Sequence, residues 1–324
     1  MVLWVAIRIF QALIIVFLMS VIVFIGLHAI GNPVDILIGQ DVVQTERARI
    51  IAAMGLDQPL YLQYFDFLKG LFSGNLGNSF TYHVPAVTLI LQRLPATFEL
   101  VVVAMVFAVV IGVLLGAIAG LQPERPWSRL IMAGSIFGFS LPTFWIGLLM
   151  IQFFCVNLGW LPASGRGETV EIFGINWSIF TLDGWRHLLL PTLTISLFKL
   201  AMVIRLTRAG VQEILPLDFV KFARAKGLSP LRVIIFHILR NTLIPLVTVL
   251  GLEFGSMIAF SVVTESIFSW PGAGKLILDS INNLDRPVIV TYLMIIVSIF
   301  VSINLVVDIL YKILDPRVRI EAGR

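Results

Sequence analysis

The sequence predicts an all-α integral membrane protein: six transmembrane helices, a helical external loop and a short basic helix on the cytoplasmic side. Three observations carry that prediction. Of the 324 residues, 58% are hydrophobic and only 13% charged, with a mean hydropathy of +0.98, whereas a soluble domain is about 25% charged. Six windows are apolar for about 20 residues, enough to cross a hydrocarbon core about 30 Å thick at about 1.5 Å per helical residue. Between the fourth and fifth windows lies a connector longer and more basic than a chain reversal needs. Arg205, Arg208, Lys221, Arg224, Lys226, Arg232 and Arg240 lie in or beside it, seven of the chain's 23 Lys and Arg residues.

The predicted spans are residues 9–30, 98–120, 131–154, 188–206, 242–264 and 288–311. The first follows Arg8, as a signal peptide would. Its apolar stretch is longer than an h-region of about 7–15 residues and no small-x-small site follows, so it is expected to stay as a span. Arg125 and Arg129, the connector, and Lys312, Arg317, Arg319 and Arg324 give one set of loops more basic residues than the longer loops opposite. That bias predicts both termini in the cytoplasm. The chain therefore divides into residues 1–30 with the first span, an external loop 31–97, a five-helix core 98–311 that contains the connector 209–241, and a cytoplasmic tail 312–324. Cys155 is the one cysteine, which excludes an intrachain disulfide and a cysteine metal cluster. It reads as a small apolar residue at a helix end.

The external loop carries helix signals. Thr45 can cap a helix to Met54 that Gly55 ends, and Pro59 can start another through Leu71 that Gly70, Gly74 and Gly77 break. Tyr61, Tyr64, Phe65, Leu68 and Phe72 recur at helical spacing and predict one apolar face. That face suits a cap packed on the membrane surface and equally a docking site for an external protein.

In the connector, Phe219, Phe222 and Ala223 fall at i, i+3 and i+4 and predict a shared helix face, with Lys221 and Arg224 pointing away from it. Gly227 can end this helix in the left-handed conformation. Ser229 and Pro230 then read as the cap and first turn of a second helix carrying Val233, Phe236, Ile238 and Leu239 towards Asn241. Pattern alone leaves two readings open: contact with a cytoplasmic protein, or an amphipathic helix on anionic lipid, where each basic residue adds about 1 kcal/mol.

Residues 223–252, ARAKGLSPLRVIIFHILRNTLIPLVTVLGL, closely resemble the inner-membrane permease subunits of dipeptide and oligopeptide ABC importers, the peptide, nickel and opine group. The resemblance extends over essentially the whole chain. It includes GLDQPLYLQYFDFLKGLFSGNLGNSF (55–80), LPATFEL (94–100), FSLPTFWIG (139–147), LPASGR (161–166), TESIFSWPGAG (264–274) and VDILYKILDPRVR (307–319). It implies the type I ABC importer permease fold and a coupling helix in the connector that seats in a groove of an ATPase subunit. The family-wide coupling loop reads Glu-Ala-Ala, three residues, then Gly. The matching positions here are Lys221, Phe222, Ala223 and Gly227, a departure shared with the peptide-permease version. A docking role thus carries over to Asp218, Phe219, Lys221, Phe222, Ala223, Arg224, Ala225, Lys226 and Gly227, without a role for a particular carboxylate.

The same resemblance implies partners: a homologous second permease, two ATPase subunits that bind ATP and Mg²⁺, and an external substrate-binding protein. The chain itself is expected to bind no cofactor, to contact membrane lipid and no nucleic acid, and to lie in a bacterial inner membrane. Residues 271–275, PGAGK, are not a P-loop, since Ser269 and Leu276 replace the required Gly and Ser or Thr. They are expected to form an external turn at the mouth of the pathway, with Phe268, Trp270, Pro271 and Gly272, shaped by Gly272 and Gly274 and with Trp270 at the membrane interface. No catalytic constellation is evident, and His28, His83, His187 and His237 are too scattered to predict a metal site.

Ionisable residues within spans are costly and face a bundle interior or cavity. Lys199 and Glu253 are therefore candidates for the pathway, or for pairing with one another. Glu99 and Glu265 lie nearer the external ends, Asp308 near the cytoplasmic end, and Asn304 is placed for an interhelical hydrogen bond. The expected function is an import permease subunit for di- or oligopeptides. Relatives of this kind also serve nickel, glutathione, opines or sugars. A self-contained secondary transporter would instead show internal repeats, and none is evident.

Overall fold

A computed structural model of the protein describes residues 2–29, 49, 52 and 57–314. Of the expected helix from Thr45 to Met54 only Arg49 and Ala52 are described, both helical; the rest of it, its end at Gly55 and the tail beyond residue 314 lie outside these residues. The helices are α1 Val2–Ala29, α2 Leu60–Ser73, α3 Ala86–Leu121, α4 Pro126–Ser140, α5 Thr143–Met150, α6 Leu182–Ile214, α7 Asp218–Ala225, α8 Pro230–Arg232, α9 Arg240–Ile267, α10 Ala273–Asn282 and α11 Arg286–Leu314. Two π-helical stretches, Ile151–Asn157 and Val233–Leu239, continue α5 and lead into α9.

Among the described residues, five segments are long and apolar enough to cross a membrane: Leu3–Gly26, Ala86–Leu121, Leu182–Ile214, Pro245–Ile267 and Arg286–Ile309. The expected third span is not one straight helix. Pro126–Ser140 and Thr143–Asn157 meet at a bend of 103°. Leu141 is extended (φ −91°, ψ 136°), a conformation favoured before a proline ring, and Pro142 is extended too. At the bend opens a cavity of about 460 Å³, lined by apolar side chains such as Phe137, Leu141, Trp145 and Leu197.

The chain forms two compact units. One comprises residues up to Pro95 with Pro271–Ser302. Its core joins Val23 of α1 to Val290 and Met294 of α11, with Phe67 and Leu71 of α2 packed against them. Ser20 and Tyr64 share a hydrogen bond of 2.8 Å, and Phe24 meets the Tyr64 ring edge-on at 5.2 Å. The packed face of α2 is therefore not the expected one: Tyr61, Phe65 and Phe72 are exposed, because Phe67 and Leu71 turn towards α1. Gly70 sits inside α2, which ends at the left-handed Gly74. In the same unit Asp285 accepts the amides of Phe80 and Thr81 at 3.1 and 3.2 Å and the Ser79 hydroxyl.

The other unit comprises Ala96–Trp270 with the residues from Ile303. Within it α3 packs closely on α6. Gly112, Gly116 and Gly120, one per turn of α3, face Val203, Thr207 and Val211 of α6, so closely that a Cβ on any of them would lie under 3 Å from those side chains. Small residues at four-residue spacing permit such approach, and in lipid, where burial against tails gains little, close packing supplies much of the helix association. Gly210 against Thr242 and Gly251 against Val307 extend the same device to α9 and α11. The expected bond to Asn304 is not found: among the described residues nothing donates to its buried Oδ1, and the next turn of α11 meets α9 through Val307 on Gly251. Apolar side chains such as Val106, Val110 and Leu114 of α3 remain exposed, as a lipid-solvated surface allows.

Candidate coupling surface and intramembrane site

The connector begins where α6 ends at Ile214. Leu217 is extended (φ −69°, ψ 149°) and α7 starts at Asp218, an acid at the positive end of the helix dipole. Lys221 Nζ lies 2.9 Å from Asp218 Oδ1, both side chains largely exposed. Val220 and Ala223 form the buried face of α7, clustered with Val211, Val233 and Ile238. This corrects the expected grouping of Phe219, Phe222 and Ala223. The i, i+3 pair Val220 and Ala223 packs inward, and the two large rings are turned outward, 42% and 61% exposed.

The outward face of α7 thus carries Phe219, Lys221, Phe222, Arg224, Ala225 and Lys226, all exposed. Lys226 Nζ stands 4.7 Å from the centre of the Phe222 ring. Gly227 closes the helix at φ 78° with its amide on Arg224 O, and Leu228 N–H reaches Ala223 O at 3.4 Å. Nothing lies within 4 Å of a Cβ placed there, so the glycine is required by backbone conformation and not by space. Ser229 and Pro230 start α8 as expected, although the Ser229 side chain makes no cap bond. The helix then widens to π-form over Val233–Leu239 before α9.

Lys199 of α6 and Glu253 of α9 form an ion pair. Lys199 Nζ also donates to Ser256 Oγ at 3.1 Å, and Ser256 Oγ donates to Glu253 Oε2 at 3.0 Å. Lys199 Nζ lies 5.2 Å from the centre of the Phe198 ring, which stacks on Phe139 at 4.4 Å. The two pathway candidates are brought together, and their side chains stay 12% and 28% exposed.

The turn after α9 differs from expectation. Its left-handed residue is Ser269 (φ 47°), whereas Gly272 is extended at the start of α10 and Gly274 lies within it. Trp270 is fully buried within the protein: its indole N–H donates to Ala96 O at 2.9 Å, and Ala96, Leu100 and Leu188 surround it. Phe268 is also buried, and its carbonyl accepts the Gly165 amide at 2.9 Å.

Two buried carboxylates beside this turn had only their depth suggested by sequence. Glu99 Oε1 accepts the Ser178 and Ile179 amides at 2.7 and 2.9 Å, and Oε2 accepts Arg166 Nε at 3.0 Å and Ser178 Oγ at 2.7 Å. Glu265 accepts Thr97 and Ser261 hydroxyls at 2.7 and 2.9 Å. Between Arg166 and Ser178 runs a hairpin, β1 Val170–Ile172 paired antiparallel with β2 Ile175–Trp177. Its turn residues Phe173 and Gly174 both have positive φ. The Phe-Gly pair between short β-prone runs was the sequence signal for it.

Residues 112–320 match the family model described as binding-protein-dependent transport system inner membrane component. Residues 1–101 match the model for the N-terminal part of such membrane components. Among similar proteins, the di/tripeptide transport system permease protein of Pseudomonas aeruginosa (strain UCBPP-PA14) is 41% identical over 303 residues, covering 89% of this chain and 90% of that protein. The dipeptide transport system permease protein of Escherichia coli (strain K12) is 34% identical, covering 93% and 94%. The glutathione transport system permease protein of the same strain is 37% identical, covering 94% of each. Among solved structures, an inward-facing MetNI methionine ABC transporter chain aligns with a TM-score of 0.54 at 16% identity, over 70% of this chain and 96% of that one. It shares the fold.

Proposed function

The chain belongs to the family of binding-protein-dependent transport system inner membrane components, and from that membership we propose that it forms half of the translocation pathway of a di- and oligopeptide importer. It is a multi-pass permease subunit. A homologous second permease completes the pathway, two ATPase subunits bind ATP and Mg²⁺ and hydrolyse the ATP, and an external binding protein delivers cargo. Both termini lie on the cytoplasmic side of a bacterial inner membrane.

The observation that carries the coupling role is the outward face of α7, where Phe219 and Phe222 stand exposed among Lys221, Arg224 and Lys226 while Val220 and Ala223 anchor the helix from beneath. Large exposed aromatics beside cations form the centre of protein interfaces more readily than a solvated surface. Because α7 is fixed to the base of α6 through Val211 and Val220, an ATPase that pushes it moves α6 as a lever, and the spans exchange inward- and outward-open states. Lys199 and Glu253 are assigned to the pathway, and Phe268, Trp270, Pro271 and Gly272 to the frame of its external mouth. Peptide cargo is supported by the names of the relatives at 41% and 34% identity. The glutathione permease at 37% favours a second reading, the same machinery carrying another small solute.

A pull-down in mild detergent with this subunit as bait tests the assembly. Wild type is expected to recover a second permease and ATPase activity. Gly227→Pro, and independently Phe222→Ala, should lose the ATPase while keeping the second permease and an unchanged size-exclusion profile. A chain that runs alone and moves solute without ATP overturns the assignment.

A further inference from the structure

Lys199 and Glu253 differ in one respect from the other buried ion pair of the same unit. Both oxygens of Glu99 are saturated: two amides meet Oε1, and a guanidinium and a hydroxyl meet Oε2. The Glu99 side chain is wholly inaccessible. That is a sealed structural pair. At Glu253, the bonds from Lys199 and Ser256 both end on Oε2, and among the described residues none reaches Oε1. The side chain is 28% exposed. An ammonium has three protons to donate, and Lys199 directs them to Glu253 Oε2 and Ser256 Oγ, leaving one uncommitted among the described residues. Within two predicted membrane spans, one carboxylate oxygen and one ammonium proton of this ion pair thus have no partner among the described residues.

A zwitterion meets both with charge-assisted hydrogen bonds, about twice as strong as those a neutral donor–acceptor group makes. We propose that Lys199 and Glu253 form a handover site selective for zwitterionic cargo, in which Glu253 Oε1 accepts the cargo's ammonium and Lys199 Nζ donates to its carboxylate. This deepens the import reading and rests on it. A zwitterion adds no net charge to a pair that has none, so the four charges alternate in sign. Cargo with only one charged end leaves an uncompensated charge in a region of low dielectric, which is strongly unfavourable. The Phe198 ring beneath Lys199, braced by Phe139, holds the ammonium by its face without occupying a proton in a conventional hydrogen bond. Ser256, bonded to both partners, keeps the pair aligned while cargo engages and leaves.

The test uses the whole complex, with its second permease and ATPases, in lipid nanodiscs without the binding protein. Equilibrium binding is measured for alanyl-alanine, N-acetyl-alanyl-alanine and alanyl-alanine amide. Uptake of the same three peptides with the binding protein is measured in proteoliposomes. Wild type is expected to prefer the zwitterion over either blocked peptide by about tenfold or more. Lys199→Met/Glu253→Gln removes both charges with similar volume and should abolish that preference and lower uptake about tenfold, while the recovered assembly is unchanged. Glu253→Gln alone should shift preference towards the acetylated, anionic peptide. Wild-type uptake with no preference, with no binding in the absence of the binding protein, or with a preference the double variant retains, overturns the handover site and leaves the import reading standing. Absence of wild-type uptake of any of the three peptides with the binding protein present overturns the peptide reading itself.

Discussion

Arg166 and Glu99, 67 positions apart, meet with Nε 3.0 Å from Oε2, and the same guanidinium lies 5.6 Å from the centre of the buried Trp270 ring. One ion pair thereby fastens the start of the β-hairpin segment to α3 and to the turn that follows α9. Because Glu99 is wholly buried, removing Arg166 strands a charge. Arg166→Met is expected to destabilise the subunit by about 3–5 kcal/mol. Arg166→Met/Glu99→Gln should cost less than that single change. Thermal melting of the detergent-solubilised protein compares the two, and equal losses would remove the charge argument.

The α3–α6 contact admits a steric test. A Cβ at residue 116 would stand 2.7 Å from Ile204 O, a backbone atom that cannot yield without moving α6. Gly116→Ala should cost about 1–3 kcal/mol through overpacking. Gly134→Ala, where nothing lies within 4 Å, should not destabilise. Paired melting curves for the two variants decide it.

At Gly227 the predicted penalty comes from φ 78° alone. Gly227→Ala is expected to cost about 1–2 kcal/mol and to leave α7 in place, so ATPase recovery should fall only slightly. Gly227→Pro cannot adopt a positive φ at all and should disrupt the helix end and capture together. Proteolytic sensitivity of the connector, measured beside ATPase recovery, separates the two outcomes.

Phe222 touches little in this chain, so Phe222→Ala should change stability by less than about 0.5 kcal/mol. If it contacts an ATPase, the loss appears in binding, at about 2 kcal/mol or roughly 30-fold. Titration of purified ATPase against the variant, with Leu231→Ala as an exposed comparison on α8, measures the difference.

Trp270 tests the turn. Trp270→Phe keeps most of the apolar volume and removes only the donor to Ala96 O. Ala96 O keeps its helical acceptor role within α3, so the lost indole bond should cost about 0.5–1.5 kcal/mol. A melting temperature equal to wild type would mean that ring burial and not the hydrogen bond holds the turn.

The sequence by itself determined the class, the number of crossings if the bent pair is counted as one, and the place of the connector. Each follows from a local quantity: hydropathy over about 20 residues, glycine or proline at a helix end, or charge density in a loop. Gly227 was legible because one residue's φ is a local matter. What only the tertiary structure decided were the facing relationships. Phe219, Phe222 and Ala223 had the periodicity of a shared face, yet Val220 and Ala223 are the residues that pack on Val211, Val233 and Ile238, a cluster drawn from α6 and from the stretch before α9. Trp270 had the composition of an interfacial anchor and became a core residue, since Ala96, 174 positions away, offered its indole an acceptor. Lys199 and Glu253 were each visible as a charge in an apolar span, but which atoms of the pair stay free depends on Ser256 and on the crossing of α6 with α9. Periodicity says that a residue has a face; the neighbour that meets that face is set by contacts far apart in the chain, and no local window contains them.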